Sequence, residues 1–192
     1  MKLRSILFLV MVSATTICFS QTKNEYEKRI SESDFPKPAM ALLENRMKDF
    51  KRVRFYEEYD GKHHSFECKF KYAGKRYSVE FSNEGVLEDI EIRIKKNELD
   101  KKVLQEIEKH LNANFTRWKF EKIQWQFPAT NPESNTLKAA LQLQAPKKYN
   151  YELIVATKTA GKLQKYELLF SEKGTLIQQR KVSRRSYDFL LF

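Results

Sequence analysis

The chain has 192 residues, 36 Lys and Arg against 25 Asp and Glu, a formal charge of +11, five glycines and two cysteines. Two cysteines, one of them near the N-terminus, leave little scope for an internal disulfide framework, so packing must supply the stability. Beyond the first 20 residues no apolar run is long enough to span a membrane, and the remaining length suits one domain or two small ones.

MKLRSILFLVMVSATTICFSQ opens with a basic pair, Lys2 and Arg4, followed by an apolar run from Ile6 to Val12 and then small and polar residues to Ser20. This is the pattern of a secretory signal peptide over 1–20, with cleavage before Gln21. A retained anchor helix is disfavoured because the apolar core is short. A lipid-modified Cys18 is disfavoured by the branched Ile17 before it. Removal of the segment takes away Lys2 and Arg4, lowers the charge to +9, and leaves Cys68 as the lone cysteine. The expected product is exported, periplasmic or secreted, with no transmembrane anchor.

After an N-terminal arm (21–29), ISESDFPKPAMALLENRM (30–47) aligns without a gap on IKKNELDKKVLQEIEKHL (94–111). Apolar residues recur at three- and four-residue steps in both, which predicts a helix in each, with Ser33 and Asn97 as candidate N-caps. Pro36 and Pro38 are compatible only with the start of the first helix. DFKRVRF (49–55) then lies over NFTRWKF (114–120) with one residue of slippage. In HSFECKFKYAG (64–74) the period changes: His64, Phe66, Cys68, Phe70 and Tyr72 alternate with Ser65, Glu67, Lys69 and Lys71, the pattern of a strand with one buried and one wet face. Asp60-Gly61, Ala73-Gly74 and Asn83-Glu84-Gly85 mark turns between successive strands.

FSNEGVL (81–87) reappears as FSEKGTL (170–176), and Gly161 matches Gly74. The chain therefore reads as one unit written twice, over 30–93 and 94–183, with a tail at 184–192. The predicted fold class is α+β: a tandem repeat of a helix followed by an antiparallel β-meander, the helix packed on one face of the sheet. The second copy is about 22 residues longer, near 128–148. Leu137, Ala139, Leu141 and Leu143 alternate there like an added strand, and a partner-contacting loop is the other reading.

Chemistry is sparse. His63 and His64 are neighbours on a strand and face opposite ways, His110 is on the second helix, and Cys68 sits between Phe66 and Phe70 on an apolar face. Glu57/Glu58, Glu88/Asp89/Glu91 and Glu106/Glu108 alternate with Lys and Arg, as solvated faces do. No catalytic, cofactor-binding or metal-ligating set emerges, so the expectation is a non-enzyme without cofactor. KRVR (51–54), GKR (74–76), KK (147–148) and RKVSRR (180–185) form basic concentrations that suit an anionic surface polymer, while export disfavours nucleic acid. Trp118, Trp125, Phe127, Tyr149 and Tyr151 gather around the enlarged second copy. Of these, Trp125, Phe127, Tyr149 and Tyr151 are the candidate binding residues, because Trp and Tyr are favoured anchors in protein interfaces.

ISESDFP (30–36), YAGKRYSVEFSNEGVL (72–87), IKKNEL (94–99) and FSEKGTL (170–176) together resemble the PepSY-like family of exported bacterial proteins, which is similar in fold to the β-lactamase-inhibitor proteins. The resemblance covers nearly all of the chain after residue 20 and implies an inhibitor-like module without catalytic residues, binding or inhibiting another envelope or extracellular protein. Its motifs are turn glycines and strand alternation, so it transfers no binding residue. The competing readings are a small hydrolase or metal-dependent enzyme with a dispersed site, and a structural or assembly protein of the envelope.

Overall fold

The alternation in HSFECKFKYAG is indeed a strand, but the face opposite its aromatics does not meet bulk water. The computed structural model describes residues 21–183; the expected signal peptide (1–20) and tail (184–192) lie outside the described residues. The elements run β1 (Gln21–Lys23), β2 (Glu25–Ile30), α1 (Lys37–Met47), β3 (Lys51–Asp60), β4 (His63–Tyr72), β5 (Lys75–Ser82), β6 (Leu87–Arg93), α2 (Lys101–Asn114), β7 (Arg117–Pro128), α3 (Glu133–Leu141), β8 (Asn150–Thr159), β9 (Lys162–Ser171) and β10 (Leu176–Val182). All ten strands belong to one sheet, in the order β1-β10-β9-β8-β7-β6-β5-β4-β3-β2.

That order overturns the predicted fold class. The molecule is not a tandem of helix-plus-meander units; it is a single strand-dominated sheet curled into a near-barrel, with three α-helices among the described residues. Two features invisible to local periodicity make the difference. First, β6 pairs antiparallel with β7 from Asp89↔Pro128 to Arg93↔Gln124, joining strands that were assigned to separate units. Second, the segment read as an arm is two strands. β1 pairs parallel with β10, and β2 pairs antiparallel with β3 at the opposite end of the sheet. Asn24 is the hinge between them: its N–H donates to Asp60 Oδ1 at 2.9 Å, while Ser183 N–H donates to Lys23 O at 2.9 Å. The two ends of the sheet are thus drawn together by one short stretch of chain.

Two apolar clusters lie on the outer face. Ala39 and Leu43 of α1 and Leu137 and Ala140 of α3 pack with Phe55, Cys68, Phe70, Val79, Phe81 and Ile90. Val103, Ile107 and Leu111 of α2 pack with Ile123, Leu153, Val155, Leu168 and Phe170. α1 begins with Pro36 as N-cap and Pro38 in its first turn, as proline geometry allows. The cap of α2 is Asp100, whose carboxylate accepts from Lys102 N–H at 2.8 Å and Val103 N–H at 3.2 Å. Ser33 and Asn97, expected as caps, lie instead in short 3₁₀ turns just upstream.

The insertion also differs from expectation. Leu137 and Leu141 alternate compatibly with either period, but four residues apart they share one face of α3 and are both buried. The turn glycines do match. Gly85 and Gly174 have φ of +80° and +81°, and each donates its N–H to the carbonyl of the serine three residues earlier. A Cβ on Gly85 would lie 2.9 Å from Pro36 Cβ, and one on Gly174 would lie 3.0 Å from Val103 O, so each turn is pressed against the start of a helix.

Candidate functional site

Strand pairing decides which residues share the inner face. Partners across an antiparallel ladder point the same way, so Glu25↔Asp60, Glu67↔Glu80, Glu80↔Asp89, Glu91↔Gln126, Gln124↔Glu152 and Glu167↔Arg180 trace one polar face across the strands. Curling turns this face inward. Glu67, Glu91 and Glu167 are 4% exposed, Lys69 6% and Gln124 5%. The reading of Asp89 and Glu91 as solvated strand residues is therefore corrected: Glu91 lines the interior, and Asp89 is half-buried on the same face. The cavity at its centre holds about 40 Å³, room for water molecules or an ion and too small for an organic ligand.

Buried charges need partners, and most of these have them. Lys69 Nζ lies 2.7 Å from both Glu27 and Glu67, and Ser78 Oγ donates to Glu67. Lys23 Nζ bridges Glu25 at 2.9 Å and Glu167 at 2.6 Å. Arg180 donates to Glu167 through Nε at 2.8 Å and Nη2 at 2.5 Å, and to Asp60 through Nη1 at 2.8 Å. Burial alone would push Glu167 up, but Lys23 and Arg180 outweigh it and hold the carboxyl at about 2. RKVSRR was read as a basic surface patch, yet its first residue, Arg180, is spent inside the molecule.

The remaining acids are not balanced in this way. Carboxylate oxygens of Glu80, Asp89 and Glu91 all lie within 4.8 Å of one another. Gln124 Nε2 donates to Glu91 Oε2 at 2.6 Å, Gln126 Nε2 to Asp89 Oδ2 at 2.9 Å, and Asn150 Nδ2 to Gln126 Oε1 at 2.9 Å. Burial, followed by the neighbouring carboxylate Glu67, pushes Glu80 up to about 8. Burial likewise pushes Glu91 up to about 7, only partly offset by Lys122. Asp89 is raised well above the carboxylate range by burial and by Glu80 and Glu91. Sequence reasoning missed this set. The available signal was the continuation of the same polar alternation through EYEKRI at the N-terminus, which supplies the strands that close the sheet.

The four candidate aromatics are brought together. Trp125 lies 6.1 Å from Phe127 and 6.2 Å from Tyr149, and Tyr149 lies 5.4 Å from Tyr151, ring centroid to centroid. They form a seam between the two apolar clusters: Phe127 is fully buried in one, Tyr151 in the other, and Trp125 packs against both. Trp125 and Tyr149 are half-buried. The exposed loop 142–149 adjoins them and carries Leu143, held at φ +54° and 37% exposed.

The residues of conventional chemistry stay apart. His64 Nε2 is 3.1 Å from Glu57 and its ring stacks on Tyr59 at 4.5 Å; His63 Nε2 is 3.3 Å from Glu88. His110 lies on α2 with its ring edge-on to Phe170 at 5.6 Å. Cys68 is fully buried, and burial pushes its thiol pKa up, away from the thiolate a nucleophile needs.

Solved structures share this fold. A DUF2874 family protein from Bacteroides ovatus ATCC 8483 is similar over 81% of this chain and 93% of its own, with 13% identity and a TM-score of 0.52. A Bacteroides eggerthii DSM 20697 protein described as periplasmic is similar over 77% and 88%, with 14% identity and a TM-score of 0.50. A BLIP-like protein from Bacteroides fragilis NCTC 9343 is similar over 77% and 86%, with 14% identity and a TM-score of 0.47. No family model and no curated protein matches the chain, so the PepSY-like resemblance remains one of motifs. No helix among the described residues is long and apolar enough to cross a membrane.

Proposed function

We propose that the chain is an exported, non-enzymatic binding module that engages another envelope protein through the Trp125–Tyr149 end of the aromatic seam. The observation that carries this reading is a half-buried Trp–Tyr pair beside an exposed loop with the apolar, exposed Leu143 near its start. Large aromatic groups in that state add contact area on association at little entropic cost. Phe127 and Tyr151 act behind them as the rigid support. The periplasmic description of a structural neighbour and the signal-like N-terminus support export. The separated histidines and the buried Cys68 support a role without catalysis.

The test uses the 21–192 chain as bait in an envelope extract, at low and at high salt. The expected result is a discrete protein retained at high salt, whose purified form binds the bait at least tenfold more weakly after Tyr149→Ser or Trp125→Ala. Circular dichroism checks that each variant is folded, and Tyr149→Ser serves where Trp125→Ala disturbs packing. Broad capture that washes away with salt would reduce the interaction to charge and overturn the reading in favour of an anionic polymer.

A further inference from the structure

The geometry points to a divalent-cation site of the hard, oxygen-preferring kind inside the barrel, formed by Glu80, Asp89 and Glu91 with the amide oxygen of Gln124. Three observations carry it. The first is spacing. Oxygens bound to one Ca²⁺ at 2.3–2.6 Å lie no more than about 5 Å apart, and the three carboxylates meet that limit, with mutual distances within 4.8 Å.

The second is the lack of a direct ion pair to these acids. The companion acid set, Glu25, Glu27 and Glu58, has Lys23 and Lys69 hydrogen-bonded into it. Glu80, Asp89 and Glu91 have no ion pair among the described residues. Lys23, Lys69, Arg76, Arg93 and Lys122 line the same cavity, and the charge of Lys23 acts on Glu80 and Glu91, but none of these cations is ion-paired to the three acids. Amide N–H groups from Gln124 and Gln126 hold one oxygen each of Glu91 and Asp89, which fixes the carboxylates and adds no charge.

The third brings in a group outside the acid set. Gln124 is 5% exposed, and its Oε1 is buried without a donor; so is Asp89 Oδ1. An unmet acceptor in a closed interior is costly. These two are oxygens, the ligand type a hard cation takes; Gln124 lines the cavity together with Glu80 and Glu91, and Asp89 is a member of the acid set. One cation would satisfy both and neutralise the acid set. Among the described residues four protein oxygens leave further positions of a six- to eight-fold shell for water, for which the 40 Å³ cavity has room.

The experiment is calorimetric titration of the chelator-treated 21–192 chain with CaCl₂ and separately with MgCl₂ at pH 7.5, paired with thermal melts. The expected result is one Ca²⁺ per chain, weaker binding of Mg²⁺, and a Tm raised by about 5 °C or more at a hundredfold excess over Kd. Glu80→Gln and Gln124→Leu should each weaken Ca²⁺ at least tenfold, whereas Glu58→Gln in the companion set should leave it within about twofold. Glu80→Gln is partly exposed and isosteric, so it also covers the case in which Gln124→Leu fails to fold. No heat and no shift in Tm, equal effects of Glu80→Gln and Glu58→Gln, or stabilisation by protons with none by Ca²⁺ would each overturn the site.

Discussion

Arg180→Met tests whether the inner ion pairs hold the sheet closed. Arg180, like Lys23, reaches both sides of the closure: it makes two bonds to Glu167 on β9 and one to Asp60 at the end of β3. Glu167 is 4% exposed, and after the substitution it keeps only Lys23 as a cationic partner. Removing one member of a buried pair typically costs about 3–5 kcal/mol, mostly from the charge left behind. Arg180 is itself partly exposed, and Lys23 remains, so the lower end, about 3 kcal/mol, is the expected loss. Urea denaturation measures it from the midpoint at unchanged slope. The Arg180→Met/Glu167→Gln double variant should recover about half or more, because both ends of the pair are then neutral. Amide exchange should quicken first in β1 and β10. A loss under about 1 kcal/mol, or strict additivity of the two substitutions, would refute the idea that these charges clamp the seam.

Stability should depend on pH with a sign set by the unbalanced acids. Glu80 and Glu91 are raised to about 8 and about 7, so between their unfolded value near 4.5 and those values the native state binds more protons than the unfolded one. Their contribution is complete below about pH 4.5 and is lost as pH rises to 8; Glu167, depressed to about 2, contributes above about pH 4.5 and loses this as pH falls. Without divalent cation the stability measured by urea denaturation should therefore peak near pH 5 and fall by several kcal/mol by pH 8, at about 1.4 kcal/mol per raised group per pH unit, and a flat or rising profile would contradict it. Gly174→Ala should cost about 1–3 kcal/mol by thermal melting, since its φ is +81° and the new Cβ meets Val103 O at 3.0 Å, whereas Gly161→Ala, with open space around it, should cost no more than about 1 kcal/mol.

Much of the local structure was legible because it follows from short-range chemistry. The proline-started α1, the alternation of Phe66, Cys68 and Phe70, and the glycines at 74, 85, 161 and 174 were all readable from neighbours in sequence. The architecture was not, because it depends on pairings such as Lys23 with Val182 and Ile92 with Trp125, which no local period reveals. The same gap hid the acid site. Alternating Glu and Lys look identical whether the charged face meets water or another part of the same sheet, and only closure distinguishes the two. The aromatic set was found as a group, but the division between buried Phe127 and Tyr151 and half-buried Trp125 and Tyr149 needed the register of β7 against β8.

The hinge at Asn24 also governs the order of assembly. The residues that close the sheet lie near its beginning in sequence, while their partners β9 and β10 are the last two described strands, so Lys23 waits for Glu167, 144 positions downstream. Long-range pairing of this kind is slow, and a chain threaded N-terminus first would expose its closing strands before their acceptor exists. Once home, they leave one end of the sheet with a terminal strand of only three residues, a short edge for another chain to pair with. The closing segment is therefore the first part of the sheet to be made and among the last to find its partners, and it shortens the edge that it leaves.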